Sequence, residues 1–592
     1  MNAIFLLISA QNIKDVQLAH QFFQDKEYSK ALELYKDAHK ANQDPYIYKN
    51  IVHCYIQLQE YKAADKWLRK ELKRSNSPTT IYIDLFHIEN LLENLKQAEI
   101  DYKAAKRSLI MEQYAFHNMA SRLQGYGYYD KSIEIFQFGQ QELQNKSLFL
   151  NELANLSIQA GKKDQAIKFF VEHCYLNEVS KEQAIGWFTL NTKAIEEKQK
   201  LKVLLFKTIQ KDPNALFTQE LLIWVMIELN EEKEAIEQAK IVDGRSGLGG
   251  KVLLDFAEVM QEKKKYSLAI EAVNHVRIKG NTYYSFLAEK KLLELKKEAI
   301  TSHLPIDTTK VISLMSNYND FIMRRGVNNK TAETIKDKAY MLSFYLGKYA
   351  EAQDLLVELI SKTSVERKFK GEAKILLADI QLLARQIWDA QLTYWQVEKA
   401  FKESTIGHEA KYKVALLSYY IGDFEWAQNQ LDALKGSTSK LISNDAIKLS
   451  TFITENIGID SFEIPLKLYA QGQLALFQMN FESAFLKFDT LETTFTDHIL
   501  LDDLWMEKAS WYLKVGDLKK AELYLEKIIA FEKEQLLKDE AIFTLAEILY
   551  NDNIRQSEAS ALYEKIIQNH PSSIFVTEAR KKFRMLRGDK IN

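Results

Sequence analysis

Apolar residues along this chain recur at intervals of three and four, the spacing that brings side chains to one face of an α-helix. The first stretches read legibly in this way: Phe22, Tyr28, Ala31, Tyr35, Ala38, and then Tyr55, Tyr61, Ala64, Leu68. A longer rhythm lies over the short one. Ala31, Ala64, Ala98, Ser132 and Ala166 stand at intervals of 33, 34, 34 and 34 residues. Self-similarity at such a period predicts helix pairs stacked into a solenoid. Two antiparallel helices approach closely only where a side chain at their crossing is nearly absent, so these small residues mark the crossings. Three positions ahead of a crossing residue stands an aromatic, at Tyr28, Tyr61, Tyr129, Tyr266, Tyr349, Phe424 and Phe481. Each is expected to open the second helix of its pair and to plug the joint with the next unit as core.

The rhythm continues with Leu201, Ala235 and Ala269 at intervals of 35, 34 and 34. It weakens from residue 281, where patterns at 281–299 and 308–325 predict a divergent pair around Pro305, closed by Gly326 to Asn329. It resumes at Ala352, Ala390, Ala427, Ala484, Ala521 and Ala559, with intervals of 38, 37, 57, 37 and 38. The interval of 57 leaves room for one extra helix near 439–456. The expected organisation is therefore an array of period about 34 over 12–280, a divergent pair or hinge over 281–330, and an array of period about 37–38 over 331–592. Gly127, Gly161, Gly347, Gly422 and Gly516 each stand five residues before a crossing residue, inside the turn of the pair. All six prolines fall at unit boundaries.

This spacing, with small residues at the eighth and twentieth positions of a helix-turn-helix unit and Pro near its thirty-second, resembles the tetratricopeptide repeat (TPR) family. The resemblance implies an all-α fold, a right-handed alpha-alpha superhelix of about fourteen units, whose work is binding other proteins. The closing stretch YEKIIQNHPSSIFVTEARKKFRMLRG, with its longer period and His-Pro-Ser-Ser-x-Phe-x-x-x-Ala phrase, is similar to repeats of periplasmic bacterial proteins of outer-membrane assembly and of the Tol-Pal system. That likeness covers roughly the last 120 residues, among them an amphipathic helix at 574–586 expected to cap the array.

Charge and composition narrow the function. With 79 basic and 81 acidic residues the net charge is -2, so no field draws the chain to nucleic acid or anionic lipid. Six Pro and 20 Gly in 592 residues suit a chain of helices and short turns. No run reaches the roughly 18 apolar residues needed to span a bilayer. Cys54 and Cys174 are too few for a disulfide framework or a thiolate metal site, and the His53-Cys54 and His173-Cys174 pairs lie three units apart. The Gly-rich stretch Asp243 to Lys251 departs from a phosphate loop, with Arg245 and Val252 at positions that would need Gly and Ser or Thr, and is expected to be a flexible joint. No nucleophile elbow, zinc-helix signature or dinucleotide fingerprint is present. The chain is therefore expected to be no enzyme and to hold no cofactor or metal.

The opening MNAIFLLISAQ resembles the apolar and cleavage regions of a secretory signal peptide without its basic leader, the alternative being a greasy half-turn that caps the first repeat. Export to the periplasm or cell envelope follows from the first reading, a cytoplasmic adaptor or regulatory receptor from the second. In the TPR family the first helix of each unit lines a concave groove through positions 5, 6 and 9. Those positions carry Val16, Gln17, His20; Lys49, Asn50, His53; Ile83, Asp84, His87; His117, Asn118, Ser121; and Asn151, Glu152, Asn155. The candidate partner-binding residues are His20, Lys49, Asn50, His53, His87, His117, Asn118, Asn151 and Asn155, whose amides and imidazoles suit the polar groups of an extended peptide. The family's carboxylate clamp is met only at Lys49 and Asn50, with Thr80 and Asp84 where basic residues belong. The partner expected is a protein, in a complex that can be membrane-associated.

Overall fold

The computed structural model describes residues 15–41, 43–75, 78–247, 249–280, 283–302, 306–436, 439–457, 463–531, 537–552 and 554–589. The proposed leader at 1–11 and Pro305 lie outside them. Among the described residues all regular structure is helical, and the fold is all-α, built of consecutive antiparallel pairs. By its contacts the chain forms two units, Met1–Leu253 and Leu254–Asn592.

In the first unit, Pro45–Gln57 pairs with Tyr61–Leu72, Thr79–Leu91 with Leu95–Arg107, Gln113–Gly125 with Tyr129–Glu142, and Leu150–Gln159 with Lys163–Leu176. The crossing residues explain the pairing. Ala31, Ala64, Ala98, Ser132 and Ala166 are buried to 1% exposure or less, as are Leu201, Ala235, Ala269, Ala352, Ala390, Ala427, Ala484, Ala521 and Ala559. The expected aromatics stand at the first residue of their helices, in Tyr28–Ala41, Tyr61–Leu72, Tyr129–Glu142, Tyr266–Arg277, Tyr349–Ser361, Phe424–Leu434 and Phe481–Thr494. Most of them are half-buried rather than core. Phe424 alone of the seven is fully buried, while Phe481 is 41% exposed and reaches the next pair by meeting Trp511 at 5.4 Å.

The turn inside each pair is equally regular. In twelve units the residue five before the crossing has φ between +55° and +86°, whether it is Gly127 and Gly161 or Lys26, Gln59, Glu93 and Met479. In eleven of them the following amide donates back to the carbonyl five residues earlier, as Glu60 does to Tyr55 at 3.1 Å and Lys162 to Ser157 at 2.8 Å, and in the twelfth Lys348 donates six back, to Leu342 at 2.9 Å. This is the left-handed helix stop that leaves the fewest carbonyls orphaned. Proline serves the other boundary: Pro45 and Pro465 sit in the first turns of their helices, Pro78 just ahead of one, and Pro213 and Pro571 in turns between units.

Leu201 breaks the rule. Its unit lacks a small crossing residue and lacks the left-handed turn, since Glu196 is already helical. Helices Lys181–Asn191 and Ile195–Lys211 accordingly barely touch, and the second packs on Lys163–Leu176 and Leu216–Glu228 instead. The Gly-rich stretch behaves as chain punctuation: Gly247 caps helix Glu232–Ser246 at φ +66°, and Gly249 and Gly250 also have positive φ ahead of helix Lys251–Glu262.

In the second unit, Tyr283–Thr301 and Thr308–Arg325 precede the pair Ala332–Leu346 and Tyr349–Ser361. Helix Lys440–Ile457 stands in the long interval between Ala427 and Ala484. It packs against Phe424–Leu434, while Ile464–Phe477 reaches past it to Thr405–Ile421, so first helices remain in register across the insertion. The chain closes on Val576–Arg587, with Val576 and Ala579 buried and Lys582 bonded to Glu547 at 2.6 Å.

Candidate functional site

The first helices of units one to five carry the candidate residues on one recurring face, and the structure sorts them. Lys49, His53, His117, Asn118, Asn151 and Asn155 are exposed. His20 is half-buried between Gln24, 3.0 Å from its Nε2, and the Tyr46 hydroxyl, 2.9 Å from its Nδ1. Asn50 is buried, and its amide donates to the Tyr35 hydroxyl at 3.3 Å, so it braces the first joint and is not offered to a ligand.

His87 is also part of the packing. It stacks on Tyr126 at 3.9 Å between ring centroids, and its Nδ1 lies 3.0 Å from the Tyr128 hydroxyl. Burial pushes its imidazole down to about 4, Arg122 adding to the effect against the pull of Asp84. It is therefore a neutral ring near pH 7.

Asp84, which the repeat register sets toward a groove, is fully buried. Its carboxylate accepts from Tyr48 Oη at 2.7 Å, Tyr126 Oη at 2.7 Å and both Nε and Nη2 of Arg122 at 2.8 and 2.9 Å. A buried charge is tolerable only when paired and fully hydrogen-bonded, and here every donor comes from a neighbouring unit: Tyr48 from the second, Arg122 and Tyr126 from the fourth. Burial first, then the Asp84 charge, pushes the Tyr48 and Tyr126 phenols well above their usual range, so both remain donors. The arrangement locks three consecutive first helices. Sequence reasoning missed it because these residues lie 36 to 42 positions apart, one period and a few residues, which no local motif marks.

The exposed members have lighter contacts. His53 rests on Phe23, ring centroids 5.1 Å apart, and burial followed by the Lys49 charge lowers its imidazole. His117 Nδ1 is 3.3 Å from Ser121 Oγ. Asn155 donates to Asn151 Oδ1 at 3.3 Å and accepts from the Trp187 indole at 2.9 Å, which ties the fifth unit to helix Lys181–Asn191. Together they form a polar, nearly uncharged strip over a packed apolar core. Amides and imidazoles can both donate and accept, the capacity an extended backbone asks for.

Among the described residues no group of His, Cys, Asp and Glu could hold a metal ion, and no helix is long and apolar enough to cross a membrane. Cys54 and Cys174 are free and buried, and burial pushes both thiols up to about 12, so neither supplies a thiolate near neutral pH.

No protein-family model matches the chain, and no curated protein matches it in sequence. Solved structures align with it along nearly its whole length at low similarity. Naa15/Naa10 bound to HypK-THB is 13% identical, with 97% of this chain and 92% of that chain covered and a TM-score of 0.26. The APC/C hetero-tetramer Cut9-Hcn1 is 13% identical over 98% of both chains at 0.21, and yeast Tom70 is 14% identical over 95% and 99% at 0.23. The repeat architecture accordingly rests on this chain's own crossings and turns.

Proposed function

We propose that this chain is a scaffold that holds a protein partner along the first-helix strip of its N-terminal units, with no catalytic role. The observation that carries this reading is the strip itself: six exposed amide, imidazole and ammonium side chains repeat at one position after another on helices whose other faces are buried. Such a surface offers many modest hydrogen bonds to an extended segment and no reacting pocket. The TPR resemblance makes that face the concave one.

A double variant tests it. His53→Ala with Asn118→Ala removes two exposed groups from the first helices of the second and fourth units, each worth about 0.5–1.5 kcal/mol if bonded to a ligand. Partner binding is expected to weaken about tenfold to a hundredfold, with the thermal midpoint unchanged. Unaltered affinity, with loss on changing the second helices instead, would move the site elsewhere.

The place of work we propose is the bacterial cell envelope, reached by export. The apolar run Ala3 to Ala10, ending in Ser9-Ala10-Gln11, and the resemblance of the C-terminal repeats to those of periplasmic proteins support it. N-terminal sequencing of the protein from its native cells decides the matter. Gln11 at the front means cleavage and export, and Met1 means retention as a cytoplasmic adaptor.

A further inference from the structure

A second surface lies at the other side of the first joints, where helices Tyr28–Ala41 and Tyr61–Leu72 end and Pro45–Gln57 and Thr79–Leu91 begin. Two adjoining cavities there, of about 700 and 310 Å³, share His39, Gln43, Glu71 and Arg74. His39 is 8% exposed, and its Nε2 lies 3.4 Å from Glu71 Oε2, yet its Nδ1 has no partner. An unpartnered ring nitrogen in such a place is costly and calls for a use.

The surroundings say what would satisfy it. Glu71 is occupied by His39 and by Arg74, whose Nη1 is 3.6 Å from its second oxygen, and Asp37 is occupied by Lys40 at 2.7 Å. The larger cavity is lined by Lys36, Lys40, Lys70 and Arg74 against Glu33, Asp37 and Glu71, one positive charge in excess, with the side chains of Lys70 and Arg74 exposed. Helix Thr79–Leu91, whose first-turn residues Thr80 and Ile81 line the smaller cavity, has at its N-cap Pro78, which makes no side-chain capping bond. Beside this basic chamber stands an aromatic wall: Trp67 lies 5.7 Å from His39 and 5.6 Å from Tyr48, between ring centroids.

We propose that this cleft takes an acidic, aromatic-bearing segment of a partner polypeptide. One of its carboxylates accepts from Nδ1–H of His39 and lies between Lys70 and Arg74, and its aromatic side chain packs on Trp67. The charge complementarity and the adjoining apolar wall ask for both features in one ligand. The proposal rests on the chain being a protein-binding scaffold but names a site apart from the first-helix strip, so the strip variant serves as its control.

The full chain, labelled with ¹⁵N-histidine, is titrated with the peptide Glu-Phe-Glu-Phe-Glu, acetylated and amidated so that no chain terminus contributes, and with its Gln-for-Glu counterpart. The His39 signal is identified by its loss in His39→Gln. It is expected to move saturably with the Glu peptide alone. Lys70→Ala with Arg74→Ala, both on exposed side chains, is expected to raise the dissociation constant about tenfold or more, a loss of charge-assisted contacts. His53→Ala with Asn118→Ala leaves it within about twofold. A motionless His39 signal, an equal response to the Gln peptide, or an unchanged constant in the Lys70/Arg74 variant overturns the proposal. So does an equal response to inorganic phosphate, which would make this a simple anion site. Loss of binding in the strip variant alone would assign the peptide to the strip, sinking this site while leaving the scaffold reading intact.

Discussion

Glu93 and Gly161 occupy the same turn position in different units, with φ of +60° and +74°. For an L-residue that conformation costs about 1–2 kcal/mol, while Gly takes it freely but gives the unfolded chain more freedom, worth about 0.5–1 kcal/mol. A Cβ on Gly161 would meet nothing within 4 Å, so Gly161→Ala isolates the backbone term. It is expected to destabilise by about 1 kcal/mol, and Glu93→Gly to be within about 0.5 kcal/mol of neutral or stabilising. Urea unfolding of the two variants checks this, and an unshifted midpoint for Gly161→Ala refutes it. The glycines of this position were legible in the sequence because Gly advertises the backbone it permits. Lys26, Gln59, Arg385 and Met479 were not, since the packed pair on either side imposes the turn on residues that carry no sign of it.

Asp503 makes a second argument at this scale. Burial, then the charges of Asp502, Glu455 and Glu507, push its carboxyl up to about 7 from an ordinary 3.8. Because the folded value lies above the unfolded one, the group contributes nothing at low pH, where both states are protonated. Its cost to stability grows as pH rises from about 4 to about 7, where the unfolded chain ionises more readily. Asp503→Asn is expected to flatten that decline and to raise the thermal midpoint at pH 8. Parallel midpoint-versus-pH curves for the variant and the natural chain would show that Asp503 is not responsible.

At the scale of the element, the crossing side chain decides how two helices meet. Ala98 is 1% exposed, and Ala98→Leu should cost about 1–3 kcal/mol by overpacking. Gly472 is the corresponding small residue of a first helix, twelve before Ala484, and a Cβ there would stand 2.3 Å from the Phe488 ring. Gly472→Ala should therefore destabilise by a similar about 1–3 kcal/mol although it adds one carbon. Calorimetry on both variants checks the register, and an unchanged midpoint for either would misplace that crossing. Leu201 is the natural version of the experiment, and its two helices lie apart. The pairs were readable because a small residue at a helix crossing is a sequence signal with a period. Polar cross-links within and between pairs were not. Lys508 is fully buried with Nζ at 2.7 Å from Asp489 and 2.6 Å from Glu492, yet in the sequence it is one more lysine on a charged helix. The candidate strip divided in the same way, its exposed amides readable by register and the burial of Asn50 and Asp84 decided by partners one unit away.

At the scale of the molecule, side-chain links repeatedly join residues about one period apart. Lys163 pairs with Glu197, Lys200 with Asp164, Lys336 with Glu372, Lys413 with Asp379 and Lys582 with Glu547, at separations of 34 to 36 residues. Each such pair is worth little alone, about 0–1 kcal/mol where exposed, but all of them run between neighbouring units. Stability in such a chain is a sum of unit and nearest-neighbour terms, so a run of units should fold without the rest. Residues 12–179 contain five crossings and the whole Asp84 network, and this fragment is expected to be helical and to unfold cooperatively. Its weak end is the fifth pair: Phe170 stacks on Trp187 at 4.0 Å, and Asn155 takes the Trp187 indole N–H, so cutting at 179 bares that ring and removes that donor. A fragment extended to residue 191 restores both, and an aromatic stack is worth about 0.5–1.5 kcal/mol beyond the area it buries. The longer fragment should melt higher than the shorter one, and Trp187→Ala should erase the difference. A fragment 12–179 that is unfolded by circular dichroism would contradict the nearest-neighbour account. Equal midpoints for the two lengths would show that helix Lys181–Asn191, whose own partner helix barely touches it, adds nothing to the units before it.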